Sequence, residues 1–282
     1  MDLLSAIENR HSVRRYRDQP LDKETLSKID RIIDNVKPLV PTNRFRVMRR
    51  DVVSGEDLIA AMGGYGRILS PPHYLVGYTT GNDHPLVDLG FRMEQIAVKL
   101  VQSGISTCFI GSLGRTSNVR ARFRLAREAQ MGAFLIFGYP AENIAGRTIN
   151  AVIRRAAGAT HKKSVDEIFY HGSFDNPTTP PPDLTTLIEA ARSAPSADNV
   201  QPWRFLLRDG ALTLFVRRSN PRYGSKPMMQ KYRYFDGGIC MSNVAMAMDA
   251  LGQKGSWRLL DRESGEIPPH PETLEPLARL ER

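Results

Sequence analysis

Cysteine and long apolar runs are scarce in this sequence of 282 residues. The two cysteines, Cys108 and Cys240, are too few for a disulfide framework and do not lie at C-x-x-C spacing. No segment reaches the roughly 18–20 consecutive apolar residues that a membrane-spanning helix needs, and the first residues lack the apolar core of a secretory leader. We therefore expect a cytoplasmic protein with no membrane partner.

Motifs for several catalytic classes are also missing. The six histidines show no H-x-x-x-H spacing, and the sequence contains no G-x-S-x-G motif and no P-loop. The glycines at positions 63, 64 and 66 do not match a dinucleotide-binding fingerprint. These absences argue against a zinc enzyme, a serine hydrolase or a P-loop nucleotidase, and they predict that there is no metal site.

Basic residues outnumber acidic ones by 39 to 30, which gives a formal net charge of +9. The excess is spread along the chain except for Arg10, Arg14, Arg15 and Arg17. A nucleic-acid-binding module built on this cluster is one alternative, and it would bind with a steep salt dependence. Since Tyr16 is the only aromatic residue close to the cluster in sequence, we expect no nucleic-acid partner.

A proline-rich segment divides the chain. The sequence DNPTTPPPD at 175–183 disfavours both helix and central strand and is typical of an extended connector. We therefore predict a first unit at 1–174, a linker at 175–182 and a second, shorter unit at 183–282.

An internal repeat spans the linker. The pattern D-x-G-x4-[QN]-[IV]-A-x6-G begins at Asp88 and again at Asp236, 148 residues later. Apolar residues recur at helical spacing in both copies, so each is predicted to be a helix. A helix repeated about one domain apart indicates two related units that pack against each other.

Short β-prone runs alternate with these and other helices. Strands are predicted at 45–48, 74–78, 133–139, 205–207 and 212–216, and two further helices are predicted to begin at the capping residues Asp22 and Asp183. This alternation predicts an α+β fold with α/β-like layers.

Two segments contain residues suited to ligand binding. In an extended segment, Arg10, Ser12 and Arg14 would share one face, and two guanidinium groups with a hydroxyl between them suit a phosphate. The alternative is an exposed basic arm. The loop 194–202, APSADNVQP, offers small residues, a hydroxyl and amides that suit a heteroaromatic ring, although it could equally be a well-ordered connection.

Together, R-H-S-V-R, A-P-S-x-x-N-x-Q-P-W-R-F and the repeated helix motif followed by T-C-F-I-G resemble the FMN-dependent nitroreductase family. That family has mainly antiparallel sheets flanked by helices, and two subunits build each flavin site. Here the first unit has the R-x-S-x-R motif but a degraded loop at 37–45, while the second has the intact loop but only the linker before it. The sequence therefore resembles a rearranged branch, of the TM nitroreductase type, in which one chain is a pseudo-dimer with one composite flavin site.

The resemblance implies a role for ten residues in holding FMN. The phosphate would be bound by Arg10, Ser12, Arg14 and Lys162 with His11 beside them, the flavin edge would contact Ile110 and Gly111, and the ring and ribityl chain would contact Pro195, Ser196 and Asn199. Arg147 is an alternative to Lys162. Gln201 is expected to be structural, and no side chain is implied as a catalytic residue.

The implied activity is that of an NAD(P)H oxidoreductase. NAD(P)H would reduce the flavin, and a small-molecule acceptor such as a nitroaromatic compound or a quinone would then reoxidise it in a ping-pong cycle. A monomer, or a weak homodimer, would suffice because both halves of the site are in one chain. The alternative is a flavin carrier or a non-catalytic protein that retains the fold.

Overall fold

The computed structural model describes residues 1–51, 55–63, 69, 71–141, 161–261 and 267–282. Within these ranges, helices flank two β-sheets, which confirms the predicted α+β class. The helices are α1 (Leu3–Asn9), α2 (Lys23–Asp34), α3 (Gly55–Met62), α4 (Pro85–Gln102), α5 (Thr116–Phe123), α6 (Pro182–Ser193), α7 (Pro227–Gln230) and α8 (Tyr232–Ala250). The strands are β1 (Arg44–Arg50), β2 (His73–Thr80), β3 (Ser106–Gly111), β4 (Ala133–Gly138), β5 (Phe169–His171), β6 (Trp203–Arg208), β7 (Ala211–Arg217), β8 (Ser256–Leu259) and β9 (Leu274–Glu281).

Both sheets use the same strand order. The first has the order β1-β2-β4-β3 and the second contains β6-β7-β9-β8, with every neighbouring pair antiparallel. The second sheet has an additional edge strand, β5, which pairs in parallel with β6. Since β5 precedes the proline-rich segment, the chain adds a strand to the second sheet before it continues into α6.

The repeat helices α4 and α8 pack against each other through two glycines. Both helices are buried along most of their length. A Cβ atom at Gly90 of α4 would lie 2.1 Å from the carbonyl oxygen of Phe235, and one at Gly238 of α8 would lie 2.0 Å from that of Val87. The helices can therefore approach this closely only because both positions lack a side chain.

The helix starts follow local capping rules, with one difference from the sequence prediction. Asp22 caps α2 as predicted, and its carboxylate accepts a hydrogen bond from Thr25 N at 2.8 Å. Asp183 was expected to cap α6, but the helix begins at Pro182 and Asp183 lies in its first turn. Proline fits the first helical position because it needs no N–H partner and its φ is already helical.

The arginine-rich segment after α1, residues 10–17, which we call the arm, runs alongside the first sheet. Val13 N donates to Thr107 O of β3 at 3.0 Å, and the Tyr16 hydroxyl donates to Val13 O at 2.5 Å. Val13 and Tyr16 are buried, and Arg10 is only 7% exposed. The alternative of an exposed basic arm is therefore wrong for Arg10. None of the helices in the described ranges is long and apolar enough to cross a bilayer.

Candidate functional site

Arg10 meets a buried carboxylate on the repeat helix α4. Arg10 Nε lies 3.5 Å from Glu94 Oε1, and the Glu94 side chain is fully buried. Among the described residues, neither Glu94 oxygen accepts a hydrogen bond, and Arg10 Nε and Nη1 have no hydrogen-bond partner. The pair is therefore held by charge alone, and two guanidinium donors remain unused.

Lys162 adds a second cation to this cluster. Its Nζ donates to Ser193 O at 3.2 Å and to Ala194 O at 2.5 Å, where α6 ends and the loop 194–202 begins. A lysine in this position complements the partial negative charge at the C-terminus of a helix. Burial, together with the nearby charge of Arg10, lowers the pKa of Lys162 to about 7.

Glu94 also titrates near neutral pH. Burial raises its pKa to about 7, although the charges of Arg10 and Lys162 both act to lower it. A buried carboxylate is costly when charged, and two neighbouring cations offset only part of that cost. The cluster of Arg10, Glu94 and Lys162 can therefore change its net charge by a proton near pH 7.

The loop 194–202 is strained and held by a buried network. Asp198, Asn199 and Gln201 have φ angles of 49°, 52° and 50°, in the left-handed region. Asn199 Nδ2 and Gln201 Nε2 both donate to His161 O, at 2.8 and 3.1 Å, and Gln201 Oε1 accepts from Lys163 N at 2.9 Å. These bonds agree with the structural role expected of Gln201, and they fix the backbone on both sides of Lys162.

Asp236 of α8 holds the loop 194–202 at Ala197. Its two carboxylate oxygens accept from Ala197 N at 3.2 and 3.1 Å, and Oδ2 also accepts from the Tyr223 hydroxyl at 2.7 Å. Burial raises the pKa of Asp236 to about 8, against the opposing effect of these hydrogen bonds.

Tyr232 connects the end of β3 with that anchor. Leu113 N donates to the Tyr232 hydroxyl at 3.0 Å, and a Cβ atom at Gly111 would lie 2.3 Å from the same oxygen. The Tyr232 ring lies 5.9 Å, centroid to centroid, from that of Tyr223, which bonds Asp236. A continuous series of contacts therefore connects Gly111, next to Ile110, with the loop 194–202 through Tyr232, Tyr223 and Asp236.

The structure brings together five of the ten residues that the sequence predicted for the site: Arg10, Lys162, Pro195, Ser196 and Asn199. Lys162 joins Arg10 through Glu94 and reaches the carbonyl before Pro195. In the same loop, Ser196 Oγ accepts from Gln201 N at 2.9 Å. Asn199 is also part of this loop, but its amide donates to backbone. Gly111, next to Ile110, is connected to the same loop through Tyr232, Tyr223 and Asp236.

The remaining nominated residues lie on the arm. Ser12 forms a parallel bridge with Thr107 of β3 and is half-buried. His11 is exposed and its Nδ1 lies 2.9 Å from Asn9 O, whereas Arg14 is half-buried. Arg147 lies outside the described residues.

The first half contains a related loop whose carboxylate is already paired with a cation. Asp88, at the repeat position of Asp236, accepts from Leu39 N at 2.9 Å and Val40 N at 3.0 Å. It also pairs with Arg92, whose guanidinium donates to Val40 O at 3.1 Å and lies over the ring of Phe45. At the repeat position of Arg92, α8 has Cys240. The two halves therefore carry different chemistry behind equivalent loops.

Sequence reasoning missed Glu94, Tyr223, Tyr232 and the anchoring role of Asp236. The sequence did contain one signal for Glu94. The second copy of the repeat has the small, uncharged Ser242 at the matching position, so the carboxylate is particular to the first copy. No group of three or more His, Cys, Asp or Glu side chains in the described ranges could hold a metal ion.

Comparison with solved structures shows which fold this is. The chain is similar over 99% of its length to a putative nitroreductase from Thermotoga maritima MSB8, with 93% of that chain covered, a TM-score of 0.58 and 20% sequence identity. A nitroreductase family protein from Clostridium novyi NT matches 50% of this chain and 87% of its own, with a TM-score of 0.44 and 17% identity. An FMN-dependent nitroreductase from Clostridium difficile R20291 matches 49% and 87%, with a TM-score of 0.41 and 21% identity.

The family comparison covers most of the sequence. No curated protein sequence matches the chain significantly. A family model described as "Putative TM nitroreductase" matches residues 2–248, a range that includes the arm, α4, all but the last two residues of α8 and the loop 194–202. The chain therefore belongs to the putative TM nitroreductase family.

Proposed function

We propose that the protein is an FMN-dependent NAD(P)H oxidoreductase that reduces nitroaromatic or quinone-like acceptors and binds its flavin between the two halves of the chain. The observation that carries this proposal is the convergence of Arg10, Lys162 and the loop 194–202. Arg10 follows α1 in the first half, the loop belongs to the second half, and Lys162 Nζ contacts the carbonyl that leads into the loop. Membership of a nitroreductase family supports an oxidoreductase.

The donors at this point fit a phosphate group. Arg10 Nε and Nη1 are buried without a hydrogen-bond partner among the described residues, and an unsatisfied buried donor costs about 1–3 kcal/mol. A phosphate monoester supplies three acceptor oxygens and the opposite charge. Ser12 and Arg14 continue the same arm, with His11 beside them, so Arg10, Ser12, Arg14 and Lys162 would hold the FMN phosphate.

The loop 194–202 contains no cation and one carboxylate, Asp198, so it fits the flavin ring better than the phosphate. Pro195 and Ser196 add no charge where the ring would lie, and the network that Asn199 forms behind them fixes the strained backbone of the loop. At the other side, Gly111 is exposed and has no side chain, so a ring could approach its backbone next to Ile110. When bound, FMN would supply hydride transfer from NAD(P)H to the acceptor in a ping-pong cycle. In this proposal the protein residues bind and orient, and none is a catalytic acid, base or nucleophile.

A pseudo-dimer of two related units, 1–174 and 183–282 joined by the linker 175–182, is part of the proposal. It is supported by the shared strand order of the two sheets and by the reciprocal contacts of Gly90 and Gly238. Because one chain then holds both halves of the site, a monomer is expected to suffice, and a homodimer would be weak. The proposed partner is a small-molecule electron acceptor.

A flavin carrier without turnover is the second candidate function. It is favoured by the loop of the first half, where Arg92 pairs with Asp88 and bonds the loop backbone. A protein in which one of two equivalent loops has acquired such a pair could also have lost turnover at the other. The two candidates agree on flavin binding and differ only in whether the bound flavin reacts.

The visible absorption spectrum of the purified full-length chain, with and without added FMN, separates these functions. We expect flavin bands that bleach when NADH or NADPH is added anaerobically and return when a nitroaromatic compound or a quinone follows. Bands that do not bleach would favour the carrier. A chain that binds neither FMN nor riboflavin would overturn the flavin proposal.

A further inference from the structure

We infer that Glu94 is the proton-accepting group of the phosphate site: its buried carboxylate pairs with Arg10 and partly neutralises the positive charge of Arg10 and Lys162 until a phosphate group binds, and it takes up a proton when one does. This inference rests on the proposed function, because it requires Arg10 and Lys162 to bind the phosphate of FMN. It adds a residue that neither sequence motif contains.

The geometry leaves Glu94 dependent on its neighbouring cations. Its side chain is fully buried on α4, with Oε1 3.5 Å from Arg10 Nε. Its two oxygens accept no hydrogen bond within the described ranges. A buried carboxylate without hydrogen bonds must be compensated by charge or lose its own charge. An anion that binds Arg10 and Lys162 therefore competes with Glu94 for their positive charge. The charged form of Glu94 then becomes less stable.

Four elements contribute the titratable and charged groups around this carboxylate. Arg10 at the end of α1 and Lys162 in the segment 161–164 act on Glu94 directly. Arg192 of α6 and Cys240 of α8 act on Lys162 in turn. Burial outweighs both direct cations and raises the pKa of Glu94 to about 7.

A bound phosphate changes this balance in one direction. Two further negative charges beside Glu94 raise the pKa of its carboxyl group, as like charges at close range do. One proton then passes from the solvent to a Glu94 oxygen, no bond to phosphorus forms, and nothing is oxidised or reduced. With Glu94 protonated, the phosphate dianion lies beside two cations and a neutral carboxyl group. Without that proton, Glu94 would add a third negative charge to the site.

The test compares FMN with riboflavin, which lacks the phosphate, on the full-length chain freed of bound flavin. Dissociation constants are measured at pH 6 and pH 8.5 for the wild type and for Glu94→Gln. At pH 8.5 we expect Glu94→Gln to bind FMN more tightly than the wild type by on the order of tenfold, because the repelling charge is gone. At pH 6, where Glu94 is already protonated, the two proteins should differ little, and riboflavin should respond to the substitution at neither pH.

The outcomes separate the inference from the proposed function. If Glu94→Gln weakens FMN binding at both pH values, Glu94 is only a structural support for Arg10 and the inference is wrong, while the flavin site stands. If the wild-type chain binds FMN and riboflavin equally well, there is no phosphate site and the inference is wrong, while flavin binding itself stands. If neither flavin binds, the proposed function itself fails.

A second variant covers the case in which Glu94→Gln does not fold. In Lys162→Gln there is no lysine to titrate, so any proton taken up on FMN binding must be taken up by another group, such as Glu94. Calorimetry at pH 8 in two buffers of different ionisation enthalpy counts those protons. We expect net uptake with FMN and none with riboflavin, and zero uptake with FMN would overturn the inference.

Discussion

Gly90 and Gly238 make reciprocal contacts across the crossing of α4 and α8. Each would place a Cβ atom about as close to a carbonyl oxygen of the other helix, 2.1 Å from Phe235 O and 2.0 Å from Val87 O. Phe235 and Gly238 follow Val87 and Gly90 by the same 148 residues. The internal repeat of the sequence is therefore also a repeat of contacts.

We expect Gly90→Ala and Gly238→Ala to destabilise the protein to a similar extent. Neither backbone oxygen can move aside as the end of a flexible side chain could, so the helices must separate at a cost of about 1–3 kcal/mol or more. Urea denaturation measures the loss. Gly55→Ala at the start of α3 is the control, because a Cβ there meets nothing within 4 Å. Equal stability of all three variants would show that the close crossing is unimportant.

Removing Arg10 should cost stability in a pH-dependent way. Arg10→Ala leaves Glu94 buried without its nearest cation, and breaking a buried pair in this way costs about 3 kcal/mol. The lost cation had lowered the pKa of Glu94, so the carboxyl group becomes harder to ionise. The penalty should be small at pH 5, where Glu94 with its pKa of about 7 is protonated in the folded chain of either protein, and should grow as the pH rises through 7 to 8, where the wild type ionises it more readily than the variant.

Denaturation of Arg10→Ala at pH 5 and pH 8 tests this expectation. Arg17→Ala is the matched control, because Arg17 lies on the same arm but is exposed, with its guanidinium 5.8 Å from the Tyr139 ring centroid. The double variant Arg10→Ala/Glu94→Gln should recover much of the loss at pH 8, since it leaves no buried charge. A penalty independent of pH would mean that Arg10 stabilises the fold by packing rather than by pairing with Glu94.

Asn199 is expected to influence the phosphate through Lys162 rather than by touching the ring. Its amide donates to His161 O, so Asn199→Ala should loosen the backbone beside Lys162 and weaken FMN binding several-fold more than riboflavin binding. Asn199→Gly, which tolerates the φ of 52°, should show the same selectivity with less loss of stability. Fluorescence titration measures both affinities.

Asn35→Ala is the control for this comparison, because the Asn35 amide bonds only a carbonyl of its own helix, Arg31 O, at an exposed site. Equal losses for FMN and riboflavin in Asn199→Ala would contradict the expected route through Lys162. That result would instead favour a direct contact between Asn199 and the part of the flavin that the two ligands share.

Asp236 should make folding stability decline as the pH rises. Its pKa is raised to about 8 in the folded chain, so the folded state holds the proton more tightly than the unfolded state does. This contribution is complete below about pH 4 and is lost as the pH rises through about 8. The stability of the wild type relative to Asp236→Asn should therefore fall by more than about 1 kcal/mol between pH 5 and pH 8.5.

Asp249→Asn provides the baseline for that measurement. Asp249 forms an exposed ion pair with Lys37 at 2.8 Å, and such pairs contribute little. A difference between wild type and Asp236→Asn that stays flat from pH 5 to pH 8.5 would mean that Asp236 is already ionised at acidic pH in the folded protein.

Local signals in the sequence were sufficient for one part of this structure. The α2 cap at Asp22, the strand runs and the repeat helices depend on neighbouring residues, so pattern and capping chemistry predict them. β8 and β9 went unpredicted because arginines interrupt their apolar residues, as at Arg258 and Arg279. Pairing within the sheet, which no local pattern records, makes these segments strands.

The buried carboxylates were out of reach for a related reason. The helical pattern of α4 identifies one apolar face, and it carries no information about the burial of a glutamate outside that face, such as Glu94. Packing against α1, α8 and the first sheet buries the helix almost all round, so the position of Glu94 is decided by elements distant in sequence. The same packing buries Arg10, for which the sequence alone left both a phosphate-binding face and an exposed basic arm open.

The end of β3 offers the sharpest test of where the flavin ring would lie. Gly111→Ala puts a Cβ atom against the Tyr232 hydroxyl, so the tyrosine must shift and give up its hydrogen bond from Leu113 N. If the ring lies against this backbone, FMN and riboflavin should lose affinity together, by about tenfold for a steric cost of about 1.4 kcal/mol.

Gly111→Ala/Tyr232→Phe should recover part of the loss, because the hydroxyl is the closest of the clashing atoms. Gly114→Ala is the control, since the three atoms nearest its added Cβ all belong to the flexible Met229 side chain. Unchanged affinity for both flavins in Gly111→Ala would place the ring away from β3 and leave only the loop 194–202 to hold it.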